Sequence, residues 1–474
     1  MPIVPHGAQA PPPPRHTGVM VTTVLWFRRD LRLRDHPALL AAAGAGDRVL
    51  PLFVLDEALL RPAGAARAAF LLRSLRALDT DLRSYGTRLA VRRGRPEEVL
   101  PAVVAETGAT AVHVSEDFGP YGAARDRRVA DALAGTPLVA TGSPYAVAPG
   151  RVHTGTGRPY QVFTPFYRAW LRHGWRAPAD SDPARVDWVD WADADTDPLP
   201  DDPSASADLR LPEAGEHAAM AAWSEFRDHL GRYPEERDRP AIEGTSRLSP
   251  YLKVGAVHPR TLLADVGPDD DGFRRELAWR DFFAAVLHHW PTSARRYFRP
   301  EFARLPYVSG RLLEERLDAW RNGRTGYPLV DAGMRQLAAE GWMHGRVRMV
   351  VASFLVKDLK VDWRHGARYF MRMLVDGDLP SNQHNWQWVA GSGMDAAPYV
   401  RVFNPVAQGR RYDPEGAYVR RWVPELRALE GAEVHEPWKA PGGPPGGYPS
   451  PIVDHAVERA AALADYEELR RHRR

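Results

Sequence analysis

Asp376-Gly377-Asp378 stands four residues ahead of Asn382 in the run V-D-G-D-L-P-S-N. Two carboxylates so spaced can ligate a hard cation, or accept hydrogen bonds from a sugar and a ring imide. Neither histidine nor further carboxylates accompany them at calcium-loop spacing, so no metal site is expected. From Gly341 to Arg372 seven Lys/Arg (Arg346, Arg348, Lys357, Lys360, Arg364, Arg368, Arg372) face only Asp358 and Asp362. Tryptophans interleave with them. A basic surface bearing aromatics can track a phosphate backbone and stack a base. The same stretch also fits a solvated helical bundle with its tryptophans in the core.

Upstream, E-L-A-W-R-D-F-F puts Glu276 and Arg280 on one helix face, and Trp279 and Phe283 likewise share one. A surface ion pair explains the first pair; a cavity lined by carboxylate, indole and guanidinium is the alternative. G-T-S-R-L-S-P-Y-L, from Gly244, places the hydroxyls of Thr245, Ser246 and Ser249 ahead of an apolar helical run. Hydroxyls and free N–H groups there suit an anion, and equally an ordinary N-cap. Tyr233 and Arg237 lie on Y-P-E-E-R-D, which also reads as a plain turn. His344 and His384 are isolated and read as structural.

These residues belong to a chain of 474, 44% hydrophobic and 26% charged, which suits a protein of two or three domains. The net charge of +3 means that partners must be argued from local patches. Of 63 basic residues 59 are Arg and four are Lys. Arg makes planar, bidentate contacts that Lys cannot, although a coding bias accounts for most of the excess. Cysteine is absent, which excludes disulfides, iron–sulfur clusters and thiol nucleophiles. No apolar run is long enough to span a bilayer. Residues 1–20, with Pro11 to Pro14 in a row, lack a signal-peptide core and read as a disordered or extended tail. The expected compartment is the cytoplasm. Fifteen tryptophans need an explanation.

From 21 to 142 short apolar runs alternate with helical patterns. Val21–Phe27, Val49–Val54, Leu89–Val91, Ala111–Val114 and Pro137–Ala140 read as strands. Ala68–Tyr85 carries Leu71, Leu75, Leu78 and Leu82 as one stripe. This alternation predicts a parallel sheet with helices on both faces, a Rossmann-like α/β domain. The G-x-G-x-x-G turn is missing after the first strand, where the chain reads W-F-R-R-D-L-R-L-R-D, so a dinucleotide bound there in the usual Rossmann manner is not expected. Residues 143–214 read as a long connector of weak periodicity, and 215–474 as an all-helical domain.

Taken together, W-F-R-R-D-L-R-L-R-D, G-T-S-R-L-S-P-Y-L, E-L-A-W-R-D-F-F, T-G-Y-P-L-V-D-A-G-M-R-Q-L, G-W-M-H-G-R-V-R-M, V-D-G-D-L-P-S-N-Q-H-N-W-Q-W and F-N-P-V-A-Q-G resemble the DNA photolyase/cryptochrome family, most of all bacterial class I enzymes that repair cyclobutane pyrimidine dimers. The resemblance implies a helical domain holding FAD. Tyr233 and Thr245, Ser246, Arg247, Leu248 and Ser249 would hold its diphosphate and ribityl chain. Arg280, Asp376, Gly377 and Asp378 would contact flavin and sugar, with Arg348 paired to Asp376 and Asn382 facing the central flavin nitrogen. Phe273 stands where a larger aromatic is common. The implied substrate is UV-damaged DNA, single- or double-stranded, with the dimer flipped into a pocket over the flavin. Trp279 and Trp388 would clasp the dimer, Glu276 hydrogen-bond it and Met349 touch its apolar side. Arg237, Arg346 and Gln408 would contact the DNA backbone. A monomer is expected.

Trp386 and Trp363 match two members of the family's photoreduction chain. No Trp occurs between Arg299 and Trp320 for the distal position, and Tyr307 is the expected substitute. Gly345 replaces the Asn that reaches the lesion in relatives. Gly119-Pro120-Tyr121 ahead of Arg125-Asp126 resembles a deazaflavin-type antenna pocket more than a methenyltetrahydrofolate one, whose acid is replaced by Gly122. The alternatives are a cryptochrome-type photoreceptor without repair, against which stands the short stretch after Y-P-S-P-I-V-D-H, and a flavin redox protein using its basic face otherwise.

Overall fold

A computed structural model describes residues 20–191, 196–204, 208–395 and 401–471. Residues 1–19, most of the expected tail, lie outside them. Five strands form one sheet in the order β3-β2-β1-β4-β5, every neighbour parallel. They are β1 (Thr22–Phe27), β2 (Arg48–Leu55), β3 (Ala90–Arg93), β4 (Ala111–Val114) and β5 (Leu138–Ala140). β1 and β2 are buried on both faces, which is why they read as continuous apolar runs. On one face Val24, Trp26, Leu50 and Leu52 meet α3 (Pro96–Thr107) and α4 (Pro120–Ala132). On the other, Leu25, Phe27, Val49 and Phe53 meet α1 (Pro37–Ala45) and α2 (Ala65–Arg83). Pro37, Pro96 and Pro120 each open a helix, where the missing N–H is not needed.

The second apolar cluster does not stop at the domain edge. It continues through α5 (Phe163–His173), inside the connector, to α6 (Ser249–Val254) and α7 (Asp271–His289). The connector is thus not uniformly irregular: Phe163, Phe166, Tyr167 and Trp170 bury one side of α5. Helices α8 (Pro328–Glu340), α9 (Gly345–Ser353), α10 (Trp363–Met373), α11 (Leu379–Ala390) and α12 (His455–Arg471) surround another core.

Where a Rossmann phosphate turn would stand, the chain after β1 plugs into the helical half. Leu31 N–H donates to the Val254 carbonyl at 3.2 Å. Arg32 donates to the Gly255 carbonyl at 3.0 Å, and Arg260 pairs with Asp35 at 2.6 Å. Gly255 has φ +76°, and a Cβ there would lie 1.9 Å from the Arg29 carbonyl oxygen. Only glycine allows that approach.

Three buried histidines are held neutral. Burial lowers His36, His344 and His384 from 6.5 to about 4 each. Between pH 6.5 and 4 the unfolded chain takes up protons that the folded chain refuses, so stability falls as pH falls. The expected loss is on the order of 2 kcal/mol per histidine by pH 4. Thermal unfolding from pH 7 to 4.5 measures it, and a constant midpoint would contradict this assignment.

Candidate functional site

The loop into α6, helices α7, α9 and α11, and the turn before α11 converge on the two aspartates. Asp376 is 8% and Asp378 7% exposed. Arg348 holds Asp376 with two hydrogen bonds, Nη2 to Oδ2 at 2.8 Å and Nη1 to Oδ1 at 3.2 Å. Ser249 Oγ donates to the same carboxylate at 2.6 Å. Asp378 pairs with Arg29 at 2.6 Å and Lys253 at 3.6 Å, and accepts from Ser381 Oγ at 3.2 Å. Burial opposes its charge, but Arg29 and Lys253 outweigh that and hold its pKa well below the carboxylate range. Both carboxylates are thereby fixed as acceptors for hydroxyl and imide donors. Arg29 and Lys253 carried no assigned role in the sequence, since nothing local links them to Asp378.

Thr245 and Ser246 are half-buried. Among the described residues the Thr245 hydroxyl makes no hydrogen bond, and Ser246 Oγ accepts only the long one from Leu248 N–H, 3.4 Å. Arg247 adopts φ +48° and lies over Trp342 at 4.4 Å, while Leu248 is buried. Tyr233 is buried under Arg237 and against Phe273, which itself sits among Trp223 and Phe226. Arg280 donates to the Pro144 and Leu252 carbonyls, at 2.7 and 3.0 Å, and covers Tyr145. Asn382 spends its amide N–H groups on Ala367 O and Gln383 Oε1, leaving Oδ1 as a free acceptor among the described residues. A Cβ at Gly377 would lie 2.4 Å from Arg67 Nη1, so a side chain there would have to displace the end of that arginine. Uncommitted hydroxyls, two buried carboxylates and an open amide oxygen make up the donor and acceptor set that diphosphate, sugar and isoalloxazine require.

Beyond this floor, Glu276 pairs with Arg237 at 2.8 Å. Trp279 lies flat on Phe163, centroids 3.7 Å apart and planes 7° from parallel. Arg346 grips Asp238 with two bonds, the shorter 2.7 Å, and reaches Met349 Sδ at 3.9 Å. Trp388 donates from Nε1 to the Asp395 carbonyl at 3.1 Å. Gln408 Oε1 is buried without a partner among the described residues. Gly345 begins α9 with open space around it: a Cβ would meet nothing within 4 Å. Gly345→Asn is therefore expected to fit and to tighten dimer-containing DNA by about 1 kcal/mol, one gained hydrogen bond. Fluorescence anisotropy with a damaged oligonucleotide measures it, and unchanged affinity would show that the pocket has adapted to glycine.

Trp386 and Trp363 are both buried, on α11 and at the start of α10. Trp386 touches Phe370 at 5.0 Å and Trp320 at 6.2 Å. Gly366 makes room for its ring. Tyr307 is half-buried and makes no ring contact with Trp363 among the described residues; Tyr297 lies between them.

The family pattern described as "FAD binding domain of DNA photolyase" matches residues 273–468, and "DNA photolyase" matches 23–184. A deoxyribodipyrimidine photo-lyase of Streptomyces griseus is 45% identical over 93% of this chain and 98% of its own. A bacterial class III photolyase from Agrobacterium tumefaciens superposes with TM-score 0.88 at 38% identity, covering 96% of this chain and 99% of its own. An archaeal photolyase from Sulfolobus tokodaii, solved with two FAD molecules, gives 0.83 at 32% identity over 94% and 100%. The two-domain fold is thus that of a light-driven flavoprotein, and the chain belongs to the DNA photolyase family. It carries that family's FAD-binding domain. No helix among the described residues is long and apolar enough to cross a membrane.

Proposed function

We propose that this chain repairs cyclobutane pyrimidine dimers in DNA, as a deoxyribodipyrimidine photo-lyase. The observation that carries the reading is α7, which presents Glu276, Trp279 and Arg280 together, with Trp279 already stacked and Glu276 already charge-paired. The relative's name and its near-complete coverage support repair over the photoreceptor alternative. FAD, when bound and reduced, supplies the photo-released electron that opens the cyclobutane ring and then accepts it back.

The protein's work is binding and orientation. Asp376, held by Arg348 and Ser249, and Asp378, held by Arg29 and Lys253, accept hydrogen bonds from the cofactor. Thr245, Ser246 and Ser249 offer hydroxyls to its diphosphate, and Asn382 offers Oδ1. Tyr233, Arg247, Leu248, Phe273, Arg280 and Gly377 shape the walls. In the substrate pocket Phe163 presses Trp279 into one plane, so a flipped dimer meets a fixed stacking surface rather than a ring that must first be ordered. Arg237 keeps the Glu276 carboxylate beside it as a hydrogen-bond acceptor for the pyrimidine. Trp388 and Met349 complete the apolar walls, and Arg346 and Gln408 meet the strand. Double- and single-stranded DNA both satisfy this chemistry, because the flipped pair is read outside the stack. The enzyme acts as a monomer in the cytoplasm.

This reading places a second chromophore between the domains. Arg29, Phe118, Tyr145, Lys253, Leu287 and Pro380, together with Asp378, line a narrow pocket there. Burial and Arg29 lower Lys253 to about 7 there. Gly122 matters nearby: a Cβ would lie 2.1 Å from the Asp117 carboxylate, which Arg125 holds at 3.3 Å. An acidic side chain at 122 would collide with Asp117, which favours a deazaflavin-type over a folate-type antenna. Absorption spectra of the purified protein distinguish the two.

Blue light on the FAD-loaded, reduced protein with a dimer-containing oligonucleotide tests the main reading. Restored pyrimidines are expected, and intact dimers after prolonged illumination would refute it.

A further inference from the structure

We propose that Asp395 is a positioning residue: it ties the two aromatic walls of the substrate pocket, Trp279 and Trp388, to each other and thereby sets the preference for a flipped dimer over undamaged DNA. This rests on reading those tryptophans as the clasp of a dimer-repairing enzyme.

The two rings come from elements far apart in sequence. Trp279 stands on α7 and Trp388 on α11, and both are half-buried. Trp279 packs at the edge of one apolar core and Trp388 at the edge of another. Apolar contacts are non-directional and would let the gap between two cores vary. A directional link is needed to fix it.

Asp395 supplies that link with three hydrogen bonds. Its Oδ1 accepts from the Phe163 N–H at 3.1 Å, its N–H donates to the Gln161 carbonyl at 3.1 Å, and its carbonyl accepts from Trp388 Nε1 at 3.1 Å. Phe163 is the residue whose ring lies flat against Trp279. From one indole to the other the path is therefore Trp388, Asp395, Phe163, Trp279. Phe163 opens α5, and its N–H is one of the donors that a helix leaves unpaired at its start. Val162, in the capping position, has no side-chain oxygen to offer, so a carboxylate from beyond α11 takes that place. The helix dipole favours negative charge there.

The backbone is shaped to deliver Asp395. The chain leaves α11 through Gly391 at φ +80°, and Gly393 folds onto the helix end. The Gly393 N–H donates to the Gln387 carbonyl at 3.0 Å, and a Cβ there would lie 2.9 Å from the Gln387 carbonyl carbon. Met394 is buried in the core that contains Phe163. Asp395 itself adopts φ +53°, a conformation that Asp and Asn tolerate better than other side chains. Such a backbone persists where surrounding contacts fix it, and the three hydrogen bonds are those contacts.

Dimer-containing and undamaged oligonucleotides, titrated in the dark against the FAD-loaded protein, test this. The readout is the ratio of the two affinities, because a change in surface charge acts on both alike. Flavin absorbance ensures that folded holoenzyme is compared throughout. Wild type should prefer the dimer. Asp395→Gly keeps the positive φ and the backbone carbonyl but not the carboxylate, and should lower the ratio about tenfold. Asp395→Asn keeps an acceptor for the Phe163 N–H and should hold the ratio within about threefold of wild type. Trp388→Phe cuts the other end of the same link, so Asp395→Gly should cost less on that background than alone. An unchanged ratio in Asp395→Gly, an equal loss in Asp395→Asn, or additive losses in the double variant overturns the proposal alone. A wild type that binds both oligonucleotides equally overturns it together with the repair reading.

Discussion

Replacing Asp378 by Ala is expected to release the flavin and destabilise the protein by about 3 kcal/mol, the range seen when one partner of a buried ion pair is removed. Asp378 is the shared counter-charge of Arg29, from the loop after β1, and Lys253, from α6. Without it two cations face each other at the domain boundary. Lys253, already lowered to about 7 by burial and Arg29, would lose its proton, which limits the cost but removes a charge from the pocket wall. Asp378→Asn is the informative companion: it keeps the shape and can still accept from Ser381, and should fall between Ala and wild type. Thermal unfolding and flavin absorbance after gel filtration give both readouts. An unchanged midpoint with flavin retained would remove Asp378 from the site.

Gly366→Ala should disable photoreduction without touching a redox residue. The added Cβ would lie 2.1 Å from Trp386 Cη2, 2.5 Å from Cζ3 and 2.6 Å from Leu355 Cδ2. Trp386 is 3% exposed and hemmed in by Phe370 and Trp320, so its ring cannot give way cheaply. Overpacking of this kind costs about 2–3 kcal/mol. Trp386→Phe supplies the missing space, so the double variant should be more stable than the two single losses predict. Trp386→Phe alone should block photoreduction of the oxidised flavin yet spare repair by chemically reduced enzyme. Additive stabilities, or normal photoreduction in Gly366→Ala, would show that the ring moves freely.

The features legible in the sequence were those written in local pattern. Strands buried on both faces appear as unbroken apolar runs, and α2 as a leucine stripe. Helix α5 keeps the helical period of Phe163, Phe166, Tyr167 and Trp170, but it is short and lies within a stretch rich in Pro, Asp and Ala that reads as a connector. The invisible features were pairings. Arg29 and Asp378 are 349 residues apart, and Phe163 and Trp279 meet only because the connector folds back on α7. Tyr307 followed from looking for an aromatic near the missing distal tryptophan. Tyr297, in R-R-Y-F, has no such signal: what distinguishes it is the tertiary contact with Trp363.

The loop from Arg28 to Asp35 also bears on how such proteins can be recombined. A backbone N–H, two guanidiniums and a carboxylate of this loop are spoken for by Val254, Gly255, Arg260 and Asp378, all in the other half of the chain. A chimera that borrows its amino-terminal half from a relative inherits one side of this lock without its key. Successful crossovers will have to move both sequence blocks as a unit, wherever the boundary is drawn.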